Sequence, residues 1–101
     1  MGFDVNLEKE NGEVLASVGD AKNILHRLLE RSQADEPHLA EIDWNADTTF
    51  NRLQIPRFLA EWEVVARHSQ TPEEAKLISD IKELAERCMD GVHLYLKFIG
   101  D

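Results

Sequence analysis

Apolar and polar residues alternate over the first twenty positions, and this period of two predicts a β-hairpin from Phe3 to Val18. Asn11-Gly12 is the pair that a two-residue type I′ turn prefers. With that pair as the loop, Lys9 faces Val14, Glu10 faces Glu13, and opposed residues share a face. One face then collects the apolar residues Val5, Leu7, Val14, Ala16 and Val18. The hairpin is therefore expected to have one dry and one wet face.

Three later segments carry apolar residues at the i, i+3, i+4 spacing of amphipathic helices. The first begins at an N-cap Asp20 and runs to about Ser32, and the second begins at Pro56 with Glu61 on its wet side. The third follows a capping box at Thr71-Pro72-Glu73-Glu74 and stops near Gly91. The apolar stripes are Ala21, Ile24, Leu25, Leu28 and Leu29, then Phe58, Leu59, Trp62, Val65 and Ala66, then Ala75, Leu77, Ile78, Ile81, Leu84, Ala85 and Cys88.

The last segment, VHLYLKFIGD, alternates again and predicts a half-buried strand that joins the hairpin. The expected fold class is α+β. An N-terminal β-hairpin plus this C-terminal strand form a small antiparallel sheet of three or four strands, with three helices packed on one face. A chain of 101 residues is expected to make one domain, residues 1–101, around one core.

The stretch from Ile42 to Phe58 is the least like ordinary scaffold. Its oxygen-bearing side chains fall on alternate positions, at Asp43, Asn45, Asp47, Thr49 and Asn51. This spacing matches the opening of an EF-hand-like calcium loop, but Thr48 replaces the turn glycine and Gln54 replaces the bidentate glutamate. Asx-turns and a cap for the following helix explain the same residues, with Asp47 and Asn51 holding backbone amides. The apolar anchors of the stretch are Trp44, Phe50, Leu53 and Ile55.

Charge is unevenly distributed. The chain has 11 basic and 20 acidic residues, a formal charge of -9, and residues 1–50 hold 4 of the basic and 11 of the acidic ones. Such a first half repels nucleic acid and anionic membrane, and attracts a basic protein or a cation. Arg52 and Arg57 are too few for a nucleic-acid stripe in a chain this acidic.

Several classes of site find no support. The four histidines lack the spacing of a helical metal site and Cys88 is a lone cysteine, so neither a metal nor another cofactor is expected. No nucleophile elbow, phosphate loop or dinucleotide fingerprint occurs. The chain shows no signal peptide and no apolar run long enough for a membrane span, so a cytoplasmic location is expected.

Two segments resemble a pattern found in small bacterial proteins of unknown function. They are D-T-T-F-N-R-L-Q, from Asp47 to Gln54, and H-L-Y-L-K-F-I-G-D, from His93 to Asp101. The resemblance implies a bacterial origin, and it implies that the loop and the terminal strand belong to one site or one packing unit. It carries no activity.

These observations favour a small acidic protein-interaction module, of the kind that bacterial immunity and antitoxin proteins represent, acting as a monomer or homodimer. The surface predicted to bind a basic partner consists of Glu36, Glu41, Asp43, Trp44, Asp47 and Phe50. A second hypothesis is a ligand or calcium site built from Asp43, Asn45, Asp47, Thr49 and His93. The third is an enzyme that uses Asp43, Asp47 and His93.

Overall fold

The computed structural model describes residues 3–20, 24–32, 42–43 and 46–100, and for residues 31 and 32 it describes the backbone alone. The strands are β1 (Phe3–Lys9), β2 (Val14–Asp20), β3 (Asp47–Asn51) and β4 (Leu94–Ile99), and the helices are α1 (Ile24–Ser32), α2 (Ile55–Ala66) and α3 (Pro72–Asp90). The strands form one antiparallel sheet in the order β2-β1-β4-β3. The predicted α+β fold, with its hairpin, terminal strand and three helices, is confirmed.

The hairpin has the predicted dry face at Val5, Leu7, Ala16 and Val18, but Val14 lies opposite Glu8 and is 48% exposed, and the turn is different. Lys9 N–H donates to Glu13 at 2.8 Å and Gly12 N–H donates to Lys9 at 2.9 Å, so three residues form the loop. Gly12 takes a φ of +91°, which a residue without Cβ adopts at no steric cost. The predicted pairing of Lys9 with Val14 and of Glu10 with Glu13 is wrong. Beyond it, a bulge between Leu7 and Glu8 restores the predicted register.

The core lies between the sheet and the helices. α3 packs against β1, β2 and β4, while α2 packs on α3. The four phenylalanines of the chain and Trp62 form a continuous aromatic cluster whose neighbouring ring centroids lie 5.5–6.0 Å apart. Trp62 Nε1–H donates to the carbonyl of Ile78 at 3.1 Å, which joins α2 to α3 and satisfies the buried indole.

The helix starts follow the chemistry of the sequence. The hydroxyl of Thr71 accepts from Glu74 N–H at 3.1 Å, and the Glu74 carboxylate accepts from Gln70 N–H at 2.8 Å, which confirms the capping motif. The buried Asp20 carboxylate accepts from the N–H groups of Ile24 and Leu25 at 2.9 and 2.7 Å. Negative charge at a helix N-terminus is stabilising, so Asp20 joins β2 to α1.

Two helical positions differ from prediction. Glu61 is only 2% exposed, because residues 58, 61, 62 and 65 share one face of α2 and the others are apolar. Arg57 Nε lies 3.7 Å from the carboxylate of Glu61. Gly91 caps α3 with an extended φ of -95° rather than a left-handed one. A side chain at Gly91 would overlap Leu94, so close approach is what requires glycine there.

The segment from Asp47 to Asn51 is a strand, although the sequence was interpreted there as a helix-entry loop. β3 pairs with β4 from Asp47 opposite Ile99 to Asn51 opposite Tyr95. The predicted Asx-turn follows it: Asn51 Oδ1 accepts from the N–H groups of Leu53 and Gln54 at 2.9 and 3.1 Å. Leu53, predicted to anchor the core, is 88% exposed at this turn.

Candidate functional site

One face of the sheet is uncovered by the described helices, whose buried apolar side chains join the cluster on the other face. In the observed register the uncovered face carries Asp4, Asn6 and Glu8 on β1, Val14 and Ser17 on β2, Tyr95, Lys97 and Ile99 on β4, and Asp47, Thr49 and Asn51 on β3. We call this the open face. Asp4, Ser17 and Thr49 are exposed, one each from β1, β2 and β3.

A polar network crosses the open face from strand to strand. Ser17 Oγ donates to Asn6 Oδ1 at 2.7 Å, and Asn6 Nδ2 donates to Glu8 Oε2 at 3.3 Å. Lys97 Nζ then lies 4.0 Å from Glu8 Oε1 and 3.4 Å from Asp47 Oδ2. Because these five residues lie on β2, β1, β4 and β3, the network ties all four strands together.

Asn6 is the centre of this network. Its side chain is buried, with the residue 9% exposed, even though it lies on the open face. Both ends of its amide are used, because its oxygen accepts from Ser17 and its NH₂ donates to Glu8. A buried polar group satisfied on both sides costs little and fixes the positions of its partners. Asn6 therefore orients the carboxylate of Glu8 toward Lys97.

Acid exceeds base on the open face. Asp4, Glu8 and Asp47 face a single cation, Lys97, which lies between the last two. Asp4 is exposed, and the Asp47 side chain keeps half of its exposure. A surface with this excess presents a negative potential to solvent and attracts positively charged groups over a Debye length.

The hairpin tip extends this acidic surface with Glu10 and Glu13. Lys9 Nζ lies 2.8 Å from Glu13 Oε2, and this hydrogen bond and charge lower the pKa of the exposed Glu13 carboxyl. Glu13 is therefore ionised at neutral pH and paired with Lys9. Glu10 contributes further negative charge beside His93. The Nδ1 atom of His93 lies 3.7 Å from the Glu10 carboxylate.

Asp43 lies near the start of β3. Its N–H donates to Thr48 Oγ1 at 2.9 Å, and its carbonyl accepts from Ala46 N–H at 3.4 Å. Gly100 N–H donates to the Ala46 carbonyl at 2.8 Å, and a Cβ at Gly100 would come within 2.7 Å of the Asp43 carbonyl. The backbone after β4 thus holds exposed Asp43 at the same end of the sheet as Asp47.

The predicted partner-binding residues divide into three groups. Asp43 and Asp47 are exposed and lie at one end of β3. Phe50 is fully buried against Phe58 and Phe98, so its ring is a core element and is inaccessible to a partner. The remaining three, Glu36, Glu41 and Trp44, lie outside the described residues.

The alternative ligand site is not assembled. Asp47 lies opposite Ile99, whereas His93 precedes β4 at its other end, six residues away. Six residues of strand span roughly 20 Å, far beyond one coordination sphere. Thr49 lies beside Lys97, and Asn45 is outside the described residues. Within the described ranges no group of three His, Cys, Asp or Glu could hold a metal ion. The alternate oxygens at 47, 49 and 51 reflect the pleat of β3.

A second surface feature was missed by sequence reasoning. A groove of about 450 Å³ at the end of β4 is lined by Asn51, Arg52, Leu53, Val92, His93, Leu94 and Tyr95. Leu53 and Val92 are 88% and 68% exposed, and non-glycine His93 has a φ of +56°. Both apolar residues lie in turns that adjoin β3 and β4, so only the tertiary pairing brings them together.

Cys88 is a buried core residue and takes no part in either surface. It is fully buried on α3, and its Sγ lies 3.4 Å from the Leu94 carbonyl. Burial disfavours the thiolate and raises the pKa of Cys88 to about 11. At neutral pH the thiol is therefore protonated, which removes it as a nucleophile.

Comparison of the chain with protein-family models, curated proteins and solved structures found no match. The resemblance to small bacterial proteins therefore stays a prediction. Among the helices of the described residues, none has the length and apolar character needed to cross a membrane.

Proposed function

We propose that this chain is a small acidic protein-interaction module that binds, in the manner of an immunity or inhibitor protein, a more basic protein partner. The observation that carries the proposal is the open face of the sheet, where Asp4, Glu8 and Asp47 meet one cation, Lys97. A sheet face that no described helix covers offers a broad surface to a folded partner. Its acidic excess selects a partner with a basic patch.

The pre-formed network supports recognition by a rigid surface. Ser17, Asn6 and Glu8 are linked by hydrogen bonds, so Glu8 is held in one place before a partner arrives. Pre-organised groups lose less conformational entropy on binding. Exposed Asp43 and Asp47 extend the acidic surface past the edge of the sheet. This surface keeps two of the sequence-predicted residues and replaces buried Phe50 with the residues of β1 and β4.

The test begins with capture of a partner from the native lysate at low salt, followed by titration of the purified partner. The double variant Asp43→Asn/Asp47→Asn is expected to lower the affinity roughly tenfold, with most of the loss in the association rate. Glu83→Gln/Glu86→Gln, which removes two negative charges at exposed positions of α3, is the matched control and is expected to leave the affinity unchanged.

Salt dependence completes the test. The wild-type affinity is expected to fall as salt rises, and the double variant is expected to show a shallower slope. An unrelated basic protein serves as the non-specific control. Equal losses for Glu83→Gln/Glu86→Gln and for Asp43→Asn/Asp47→Asn would show that total charge, rather than the open face, attracts the partner, and the proposal would be abandoned.

A further inference from the structure

β2 has an edge that no described strand pairs with. It is the outermost strand on its side of the sheet and seven residues long. From Val14 to Gly19 it contains no charged residue and no proline, which are the usual protections of an edge strand. Val14 and Leu15 are 48% and 40% exposed. Unpaired backbone groups beside exposed apolar side chains form a template for a further strand.

A groove runs along this edge on the helical side of the sheet. Its volume is about 320 Å³, and it is lined by Val18, Gly19, Asp20, Ile24, Glu73, Lys76, Leu77 and Asp80. Ala16 and Val18, which face this side, are only partly buried. A strand added beside β2 would direct alternate side chains into the groove, where Leu77 and Ile24 offer apolar contact.

We propose that β2 pairs antiparallel with β2 of a second copy of this chain, so that two sheets join into one of eight strands. With the two-fold axis at Ser17, the midpoint of β2, Ser17 faces its own counterpart and Ala16 faces Val18 of the second copy. The two small apolar side chains then fill the grooves from both sides. The proposed pairing uses the backbone edge of β2 and the groove on the helical side rather than the acidic residues of the open face, so the proposal does not rest on the proposed function.

The uncharged edge identifies a second copy as the occupant, because the stretch from Val14 to Gly19 sets no like charges against each other when it faces its own counterpart. The groove wall contributed by α3 alternates Glu73, Lys76 and Asp80, and Lys76 Nζ lies 2.8 Å from Asp80 Oδ2. A two-fold axis sets two such helices antiparallel, with Lys76 and Asp80 paired within each copy. β1 is the middle of the three strands that α3 contacts, and three strand spacings separate the two β1 strands by roughly 14 Å. Because a helix with its side chains is about 10–12 Å across, the two helices fit side by side at this spacing.

A basic partner fits this edge less well. The stretch from Val14 to Gly19 carries no acid that would attract one. In the groove, Asp80 is already paired with Lys76, and Asp20 accepts from the N–H groups of Ile24 and Leu25. An isologous contact needs a patch that complements itself, and a neutral strand beside a mixed-charge helix is such a patch.

The mass of the full chain in solution, measured by sedimentation from low to high protein concentration, tests the proposal. Wild type is expected to approach twice 11.6 kDa as concentration rises. Leu15→Lys places a charge on the edge of both copies and is expected to weaken the dimer at least about tenfold. Leu53→Lys, at an exposed apolar position far from β2, is the control and should dimerise like wild type.

Disulfide trapping tests the register. Ser17→Cys is expected to form a covalent dimer under mild oxidation, whereas Thr49→Cys on β3 should not, and buried Cys88 does not interfere. Circular dichroism confirms that each variant is folded. A wild type that stays at 11.6 kDa throughout would overturn the proposal. So would a dimer that is unaffected by Leu15→Lys and is not trapped through Ser17→Cys.

Discussion

The two faces of the sheet use the same strands for opposite purposes. On the helical face, Leu7, Phe50, Leu96 and Phe98 are fully buried. On the open face, their sequence neighbours carry charge and hydrogen bonds, as Lys97 does beside Phe98. A shift of one residue in register would exchange the two sets, so the contrast itself fixes how the strands pair. The helical face is therefore expected to supply most of the stability, whereas the residues of the open face are available for binding.

The sharpest test of this contrast is truncation on either side of β4. The ring of Phe98 lies 5.7–6.0 Å from the rings of Phe3, Phe50 and Phe58, so Phe98→Ala leaves a cavity among three aromatic neighbours. We expect a loss of about 3–5 kcal/mol in the free energy of unfolding, measured with urea. Ile99→Ala, the next residue on the open face, is the control and should cost about 1 kcal/mol or less. Similar losses at both positions would contradict the division between faces.

The stability of the protein at alkaline pH tests the burial of Cys88 on the helical face. Burial raises the pKa of this thiol from 9.0 to about 11. The unfolded chain therefore loses the thiol proton first, so the folded state is favoured fully below pH 9 and loses stability between pH 9 and 11. Over that window wild type is expected to lose on the order of 2 kcal/mol more than Cys88→Ala. Parallel pH profiles for the two proteins would show that burial does not disfavour the Cys88 thiolate.

The smallest effect is expected on the open face. Lys97→Met keeps most of the aliphatic stem but removes the charge between Glu8 and Asp47. The free energy of unfolding is expected to fall by about 0.5–1 kcal/mol at low salt and by less at high salt, as measured by thermal unfolding. Lys76→Met removes an exposed pair with Asp80 on α3 and should cost less, because solvent screens that pair more strongly. A loss above that of Phe98→Ala would make the open face the main source of stability.

Features encoded by local chemistry could be predicted from the sequence. Thr71 and Glu74 form a capping motif within four residues, and the alternation of β4 reports burial directly. The hairpin faces were also predicted, but its turn was not. Asn11-Gly12 suits both a two-residue loop and a three-residue loop with glycine in the left-handed region. The three-residue loop is compatible with the strand pairing only because of the bulge at Leu7 and Glu8.

Features that depend on distant partners were not predicted. Asp47 to Asn51 shows the period of a strand, with β-branched Thr48 and Thr49, but its alternate oxygens resemble a cation loop equally well until β4 is beside it. Glu61 lies at a helical position that faces the core. Its spacing from the apolar residues indicated burial, but its charge indicated exposure, and the prediction followed the charge. The open face is similar, because Asn6, Glu8, Asp47 and Lys97 are separated along the chain and only the sheet order brings them together.

That order also constrains how the chain folds. The two central strands, β1 and β4, are the first and last elements of the described fold, and β3 has its neighbour only in β4. Such long-range pairing delays sheet formation, since a large loop must close before its contacts contribute. The hairpin and helices can form earlier, but one side of β1 stays open until β4 arrives. Closure of the sheet is therefore expected to be the rate-limiting event and the stage most exposed to misassociation.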